Sequence, residues 1–195
     1  MALDPAKQLE RNARLMELLA RTALRDQRAF AELYQATSAP LYAVALRMLK
    51  QAPAAEEVLQ ESFLNVWHHA RSCVAARSQP LTWLTSIVRN RCLDELRRRE
   101  LEASTMDDDE AANVAADDPT PLERALSGAE ARAIGRCVDT LEAGPKQAIT
   151  LAFFRGLSHA ELARHLRQPL GRVKSWIRRG LERLRACLDG AGVVP

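Results

Sequence analysis

Residues 156–185 read GLSHAELARHLRQPLGRVKSWIRRGLERLR, and the fold turns on this stretch. Ser158 stands three residues before Glu161. In a capping box of that spacing the serine hydroxyl accepts from the glutamate's backbone N–H, and the carboxylate accepts from the serine's own N–H. A short helix over 159–166 should follow, then a turn at Gln168-Pro169, then a second helix over about 170–188. That order predicts a helix-turn-helix. In the second helix Val173, Ile177, Leu181 and Leu184 fall at i, i+4, i+8 and i+11, one apolar stripe. The other faces carry Arg172, Lys174, Arg178, Arg179, Arg183 and Arg185 against a single Glu182. Such a helix suits a DNA major groove, since cations neutralise phosphates while side chains near the N-terminus reach base edges. The alternative is a surface helix that is merely basic. Trp176 either packs on the first helix or sits at the DNA surface, and the sequence leaves both open.

Immediately upstream, 122–142 reads as one helical stretch, Gly144-Pro145 as a break, 145–155 as a helix and Gly156-Leu157-Ser158 as a tight turn. Before them, 101–122 reads LEASTMDDDEAANVAADDPTPL: acid clusters, small residues, two prolines and no sustained stripe. A segment of this kind buries too little apolar surface to offset its ordering entropy, so a flexible or extended linker is expected. Charge segregates around it. Residues 1–99 carry 15 basic and 10 acidic side chains, 100–123 none basic and 9 acidic, and 124–195 carry 13 basic and 6 acidic. Two basic blocks flanking an acidic strip predict two polyanion-binding modules on a tether; surface charge that serves solubility alone is the alternative.

The N-terminal block also reads as helical. Residues 7–24 form one segment, with leucines at 15, 18 and 19. Residues 28–36 and 39–51 form two more, separated by Thr37 and Ser38, with Pro40 in a first turn where proline is tolerated. After Pro53 the pattern resumes over 54–70, 71–79 reads as a loop, and Pro80 opens a helix to about Arg99. In 54–70, AAEEVLQESFLNVWHHA, Leu59, Phe63 and Val66 share one face with Trp67 at its margin, while Glu57, Gln60, Glu61, Leu64 and His68 share the opposite face. An acidic and amide face with a leucine in its middle, on a basic domain, suggests docking to an arginine-bearing partner. A plain solvated face is the alternative. In PLTWLTSIVRNRCLDELRRR, residues 80–99, Trp83, Ile87, Asn90 and Asp94 share a face above a basic cluster. Tryptophan, asparagine and arginines are the side chains that meet single-stranded nucleic acid. Equally, Trp83 can be core and Asn90 a buried polar group with its partners.

Composition narrows the classes. Aromatics are 5% of 195 residues, glycine (8) and proline (9) are sparse, and helix formers dominate, which argues against all-β, collagen-like or wholly disordered chains. No apolar run approaches the roughly 18 residues of a membrane span, and Met1 to Arg14 lacks a signal-peptide core. A cytoplasmic protein without membrane insertion is expected. Cys73, Cys92, Cys137 and Cys187 form no CxxC pair and are read as small core residues or free thiols. His68, His69 and Cys73 have no second ligand pair nearby, so no metal is expected. With no Walker loop, ligand array or nucleophile–base pair, neither an enzyme nor a cofactor is expected.

AEEVLQESFLNVWHHA followed by PLTWLTSIVRNRCLDELRRR resembles region 2 of bacterial sigma factors, and GLSHAELARHLRQPLGRVKSWIRRGLERLR resembles region 4. Both in order, joined by an acidic linker in a chain of this length, resemble the extracytoplasmic-function (ECF) sigma factors. The resemblance implies an all-α protein of two small helical domains. It divides the chain into an N-terminal extension (1–24), a region 2-like domain (25–99), an acidic linker (100–123), a region 4-like domain (124–188) and a tail (189–195). It implies that Glu57, Gln60, Glu61 and Leu64 face the beta-prime clamp helices of core RNA polymerase. Arg71, Arg77, Ser78, Trp83 and Asn90 would engage the −10 strand. Arg172, Lys174, Ser175, Arg178 and Arg179 would lie at the −35 duplex, with this domain on the beta flap. An anti-sigma factor is a further expected partner. Two positions depart from the family's usual pattern: Arg172 replaces a threonine, and Trp176 stands where an arginine is common. The rival readings are a stand-alone helix-turn-helix regulator that binds duplex DNA without core polymerase, and an enzyme with a helical His/Cys metal site.

Overall fold

A computed structural model describes residues 5–76, 79–105 and 129–192, and every regular element among them is a helix. The chain divides into two compact units, one of residues 16–127 and one of 128–195 together with Met1–Leu15. The first helix, α1 (Pro5–Ala23), crosses that division and buries Leu15, Leu18 and Leu19, the leucines of its sequence pattern.

In the first unit α2 (Gln27–Leu49), α3 (Ala52–Ala76) and α4 (Pro80–Thr105) pack pairwise on one another. Asp26 starts α2 by accepting from the backbone N–H groups of Arg28 and Ala29, and Arg21 clamps the same carboxylate at 2.8 Å. Those backbone bonds, and then the guanidinium, hold the Asp26 carboxyl below its ordinary range. The expected break at Thr37 and Ser38 is absent: α2 runs straight through them and through Pro40. An interior proline costs about 3 kcal/mol. Here the helix is held by its buried face, Leu33, Thr37, Leu41, Ala45 and Met48. Thr37 stays buried because its hydroxyl donates to the Leu33 carbonyl at 2.7 Å.

The predicted loop at 71–79 is also corrected. Helix α3 continues to Ala76, since Ala70 and Cys73 prolong the buried stripe of Leu59, Phe63 and Val66 by almost two turns. Phe63 carries Phe30 and Tyr34 edge-on from α2, and Trp67 stacks edge-on against Phe30 under the Arg25 guanidinium. Helix α4 buries Leu84, Val88, Cys92 and Leu93. It outruns its expected end at Arg99 and reaches Thr105, the first residues of the predicted linker. Arg98 ties Glu95 and Glu102 there at i−3 and i+4, pairs that support a solvated helix. The remainder of the linker prediction, 106–123, lies outside the described residues.

In the second unit α5 (Ala129–Asp139), α6 (Ala143–Arg155) and α7 (His159–His165) all pack on α8 (Leu170–Gly190). The predicted stretch 122–142 is helix only over Ala129–Asp139, residues 122–128 lying outside the described ones, and the break falls at 140–142 rather than at Gly144-Pro145, which lie in the first turn of α6. Gly156 closes α6 at φ 65°, a left-handed conformation that favours glycine. The capping box is formed: the Ser158 N–H donates to Glu161 Oε2 at 2.7 Å and the Glu161 N–H to Ser158 Oγ at 3.3 Å. One thiol expectation is overturned. Cys137 on α5 and Cys187 on α8 form a disulfide with Cα atoms 5.7 Å apart, whereas Cys73 and Cys92 are free and buried. Burial pushes the Cys92 thiol up to about 12 and raises that of Cys73, so both stay protonated and inert.

Candidate nucleic-acid and partner interfaces

The α3 face opposite the core is built as its periodicity predicts. Leu59, Phe63 and Val66 are buried and Trp67 is half-buried, while Glu57, Gln60, Glu61 and His68 are exposed and Leu64 is 61% exposed. The neighbouring helix adds what a single-helix reading missed. A groove of about 370 Å³ runs between α3 and α4, with Glu57 and Glu61 on one wall and Arg91, Asp94, Glu95 and Arg98 on the other. Arg91 approaches Glu61 to 3.8 Å. Burial alone would raise the Glu95 carboxyl, but hydrogen bonds from Arg99 and Arg98 hold it below the ordinary carboxylate range. The face is therefore a carboxylate row with its own arginines behind it and a leucine at its end, rather than a uniformly acidic surface.

On α4, Trp83 and Ile87 are half-buried and Asn90 and Asp94 exposed. Asn90 is thus no buried polar group; its side-chain oxygen accepts from Arg89 at 3.4 Å, and Asp94 accepts from Arg97 at 3.3 Å. Arg71 is exposed near the end of α3 and donates to the Ala23 carbonyl at 3.4 Å. Arg77 and Ser78 lie outside the described residues. His68 and His69 are exposed while Cys73 is buried, and no group of three potential metal ligands occurs among the described residues.

On α8 the apolar stripe is shifted from its predicted course. Val173 and Gly180 are buried and Trp176, Ile177, Leu184 and Cys187 half-buried, whereas Leu181 is 52% exposed. At about 100° per residue Leu181 lies a full step beyond Gly180, off the line that faces the other helices. The smallest residue, invisible to a hydrophobic pattern, occupies the seam. Arg172, Lys174, Arg178 and Arg179 project outward and Ser175 is half-exposed. Arg172 donates to Gln168 at 2.9 Å and Arg178 pairs with Glu182 at 3.0 Å. The side chains of Lys174 and Arg179 make no hydrogen bond or ion pair among the described residues. The first three turns of α8 thus present a cationic surface behind a capped helix and a tight turn.

Residues 33–102 match the Sigma-70 region 2 family and residues 131–184 the Sigma-70 region 4 family. The ECF RNA polymerase sigma factor SigK of Mycobacterium tuberculosis is 35% identical over 178 residues, 88% of this chain and 92% of that one. This chain belongs to the ECF RNA polymerase sigma factors. SigK of Mycobacterium ulcerans is 33% identical over 91% of this chain and 95% of its own. A solved structure of the sigma factor RpoE with the anti-sigma factor NepR from Bartonella quintana is 23% identical, with a TM-score of 0.42, over 82% of this chain and 96% of that one.

The region 2 match of this sigma factor contains α3 and nearly all of α4, and so the groove between them; the region 4 match ends at Leu184, beyond all the outward cations of the first α8 turns. No helix among the described residues is long and apolar enough to cross a membrane. Sequence reasoning missed Arg91 and Arg98 as groove residues, although both lie in the predicted helix over 80–99 and Arg98 in the basic cluster at its end. It read Gly144 only as part of a break and passed over Gly180, since no charge or hydropathy pattern marks a close helix contact at either.

Proposed function

We propose that this sigma factor binds core RNA polymerase and directs initiation at promoters with its own −10 and −35 elements, acting as a specificity subunit rather than as an enzyme. The observation that carries this is the presence of both sigma regions, in order, in a chain aligned along 88% of its length with an ECF sigma factor. In this reading residues 25–99 form the polymerase and −10 domain, 100–123 the linker, and 124–188 the −35 domain on the beta flap. Glu57, Gln60, Glu61 and Leu64 meet the beta-prime clamp helices: carboxylates attract arginines, and Leu64 supplies the apolar contact that a fully charged face lacks. Arg71, Arg77, Ser78, Trp83 and Asn90 hold the displaced −10 strand, with the exposure of Asn90 and the half-exposure of Trp83 supporting a role at the surface. Arg172, Lys174, Ser175, Arg178 and Arg179 lie at the −35 groove. The protein works in the cytoplasm and is held inactive by an anti-sigma factor.

Two small modules on a tether have few contacts each, so duplex binding by the chain alone is weak and salt-sensitive, and specific binding appears only in the holoenzyme. Run-off transcription with core polymerase on a promoter library tests this, alongside duplex binding by the purified chain. Promoter-selective transcripts are expected. Nanomolar operator binding by the chain alone at physiological salt, without polymerase-dependent transcription, would establish the stand-alone regulator instead.

A further inference from the structure

A recognition helix reads DNA through its outer face, but its aim is set by its inner one. On α8 that inner face meets α6 at two unusually close points. A Cβ added to Gly144, near the start of α6, would lie 2.8 Å from Trp176 Cζ2, 2.9 Å from Cη2 and 3.0 Å from Cε2. A Cβ added to Gly180 on α8 would lie 2.6 Å from Ile149 Cδ1 and 3.4 Å from Pro145 Cβ. The contacts are reciprocal: α8 sends an indole into a gap on α6, and α6 sends an isoleucine into a gap on α8, four residues further along. Neither glycine has a positive φ, unlike Gly156 and Gly192. Backbone conformation therefore does not require them. Space does.

Two points of contact on one side of a helix fix both its rotation and its axial position. The outer residues respond directly. With side chains a helix has a radius of about 5–6 Å, so a rotation of about 20° carries a side-chain end about 2 Å, more than a hydrogen bond to a base edge tolerates. Trp176 is next to Ser175 and two residues from both Lys174 and Arg178, so a shift of the indole is passed on to them.

We propose that Trp176 against Gly144, with Ile149 against Gly180, forms a two-point register that sets the rotation of α8 and thereby which base pairs Lys174, Ser175, Arg178 and Arg179 read. Trp176 is thus a positioning residue of −35 recognition and not a DNA contact. The inference rests on α8 being the −35 helix, as proposed above.

The test uses the full chain with core polymerase, transcribing a panel of promoters substituted singly through the −35 element, with thermal melting of each variant in parallel. G144A should change the order of base preference and lower transcription from the best wild-type promoter by about tenfold, the scale of one lost base contact. W176F, which leaves one of the two points unfilled, should lower transcription and loosen the order across the element. G144A/W176F should restore the order that G144A disturbs, because phenylalanine lacks the outer indole atoms that a methyl group at 144 would meet. The second point gives an independent pair: G180A should shift preference, and I149V/G180A should restore it, since valine lacks the Cδ1 atom. If G144A fails to fold, this pair decides. A uniform loss across all promoters that tracks the melting temperature would overturn the register, leaving these contacts as packing only. So would a W176F variant that changes preference at a single base pair while G144A changes none, because the indole would then touch DNA. R179A separates failure of the register from failure of its premise. If R179A and the −35 substitutions leave preference unchanged, α8 is not the −35 helix and the register falls with that assignment.

Discussion

The two units reach order by different means. The unit of residues 16–127 has a continuous apolar interior, in which α2, α3 and α4 each bury a full stripe, from Leu33 and Leu41 through Phe63 and Val66 to Leu84 and Val88. Among the described residues of the other unit's C-terminal part, 129–192, those buried outside α8 are few: Ala133, Cys137, Leu141, Ala148 and Leu162. It assembles three short helices on one long one through a disulfide, a capping box and glycine contacts. A small domain that buries little apolar area relies on such devices. The first unit can therefore lose surface charge without loss of fold, whereas the second is sensitive at single covalent or steric points.

The largest effect expected from this contrast falls on the first unit's surface. Gln60→Lys with Glu61→Lys should abolish assembly with core polymerase, read by co-purification, and leave the melting curve near wild type, since both residues are exposed opposite the Leu59, Phe63 and Val66 stripe. Normal co-purification would show the docking face to lie elsewhere. Within the core, Leu84→Ala should cost about 2–5 kcal/mol by denaturant unfolding, concentrated in the first unit. Loss of Cys137–Cys187 should act on the other unit. The cross-link closes a sequence separation of 50 residues, and its removal by reduction or Cys187→Ser should cost about 2–4 kcal/mol. Hydrogen exchange should place that loss in α5 and α8; an equal loss in α2–α4 would erase the contrast.

Recognition sharpens the comparison further. Arg179→Ala should cost about 1–3 kcal/mol and relax preference at particular −35 base pairs. Arg185→Ala, farther along α8, should weaken transcription modestly and equally across promoters. The reverse pattern would mean that α8 docks differently. The smallest effect expected is that of Ser158→Ala, which breaks the capping box at a cost of about 1 kcal/mol, read as a lower melting temperature of the second unit alone.

Acid should probe a local site in the first unit. The Asp26 carboxyl is held below its unfolded value, so what it contributes is fully present above that value and is lost as pH falls through the lower, folded one. Asp26→Asn should flatten that acid limb.

Much of this protein was legible in its sequence, because local rules act within a few residues. The capping box at Ser158 and Glu161, the turn before α8 and the two faces of α3 all follow from spacing along a helix. Where local signals competed with packing, packing won. Thr37, Ser38 and Pro40 signal a break, yet the buried face of α2 carries the helix through them; Cys73 extends α3 into a segment that reads as loop. Contacts between distant segments were not legible at all. Cys137 and Cys187 stand 50 positions apart without motif spacing, and only the approach of α5 to α8 joins them. The sequence determined which side chains α8 carries and that they are cationic. Which of them face outward depends on Trp176 finding Gly144 and Ile149 finding Gly180, and that close approach exists only once the helices have packed.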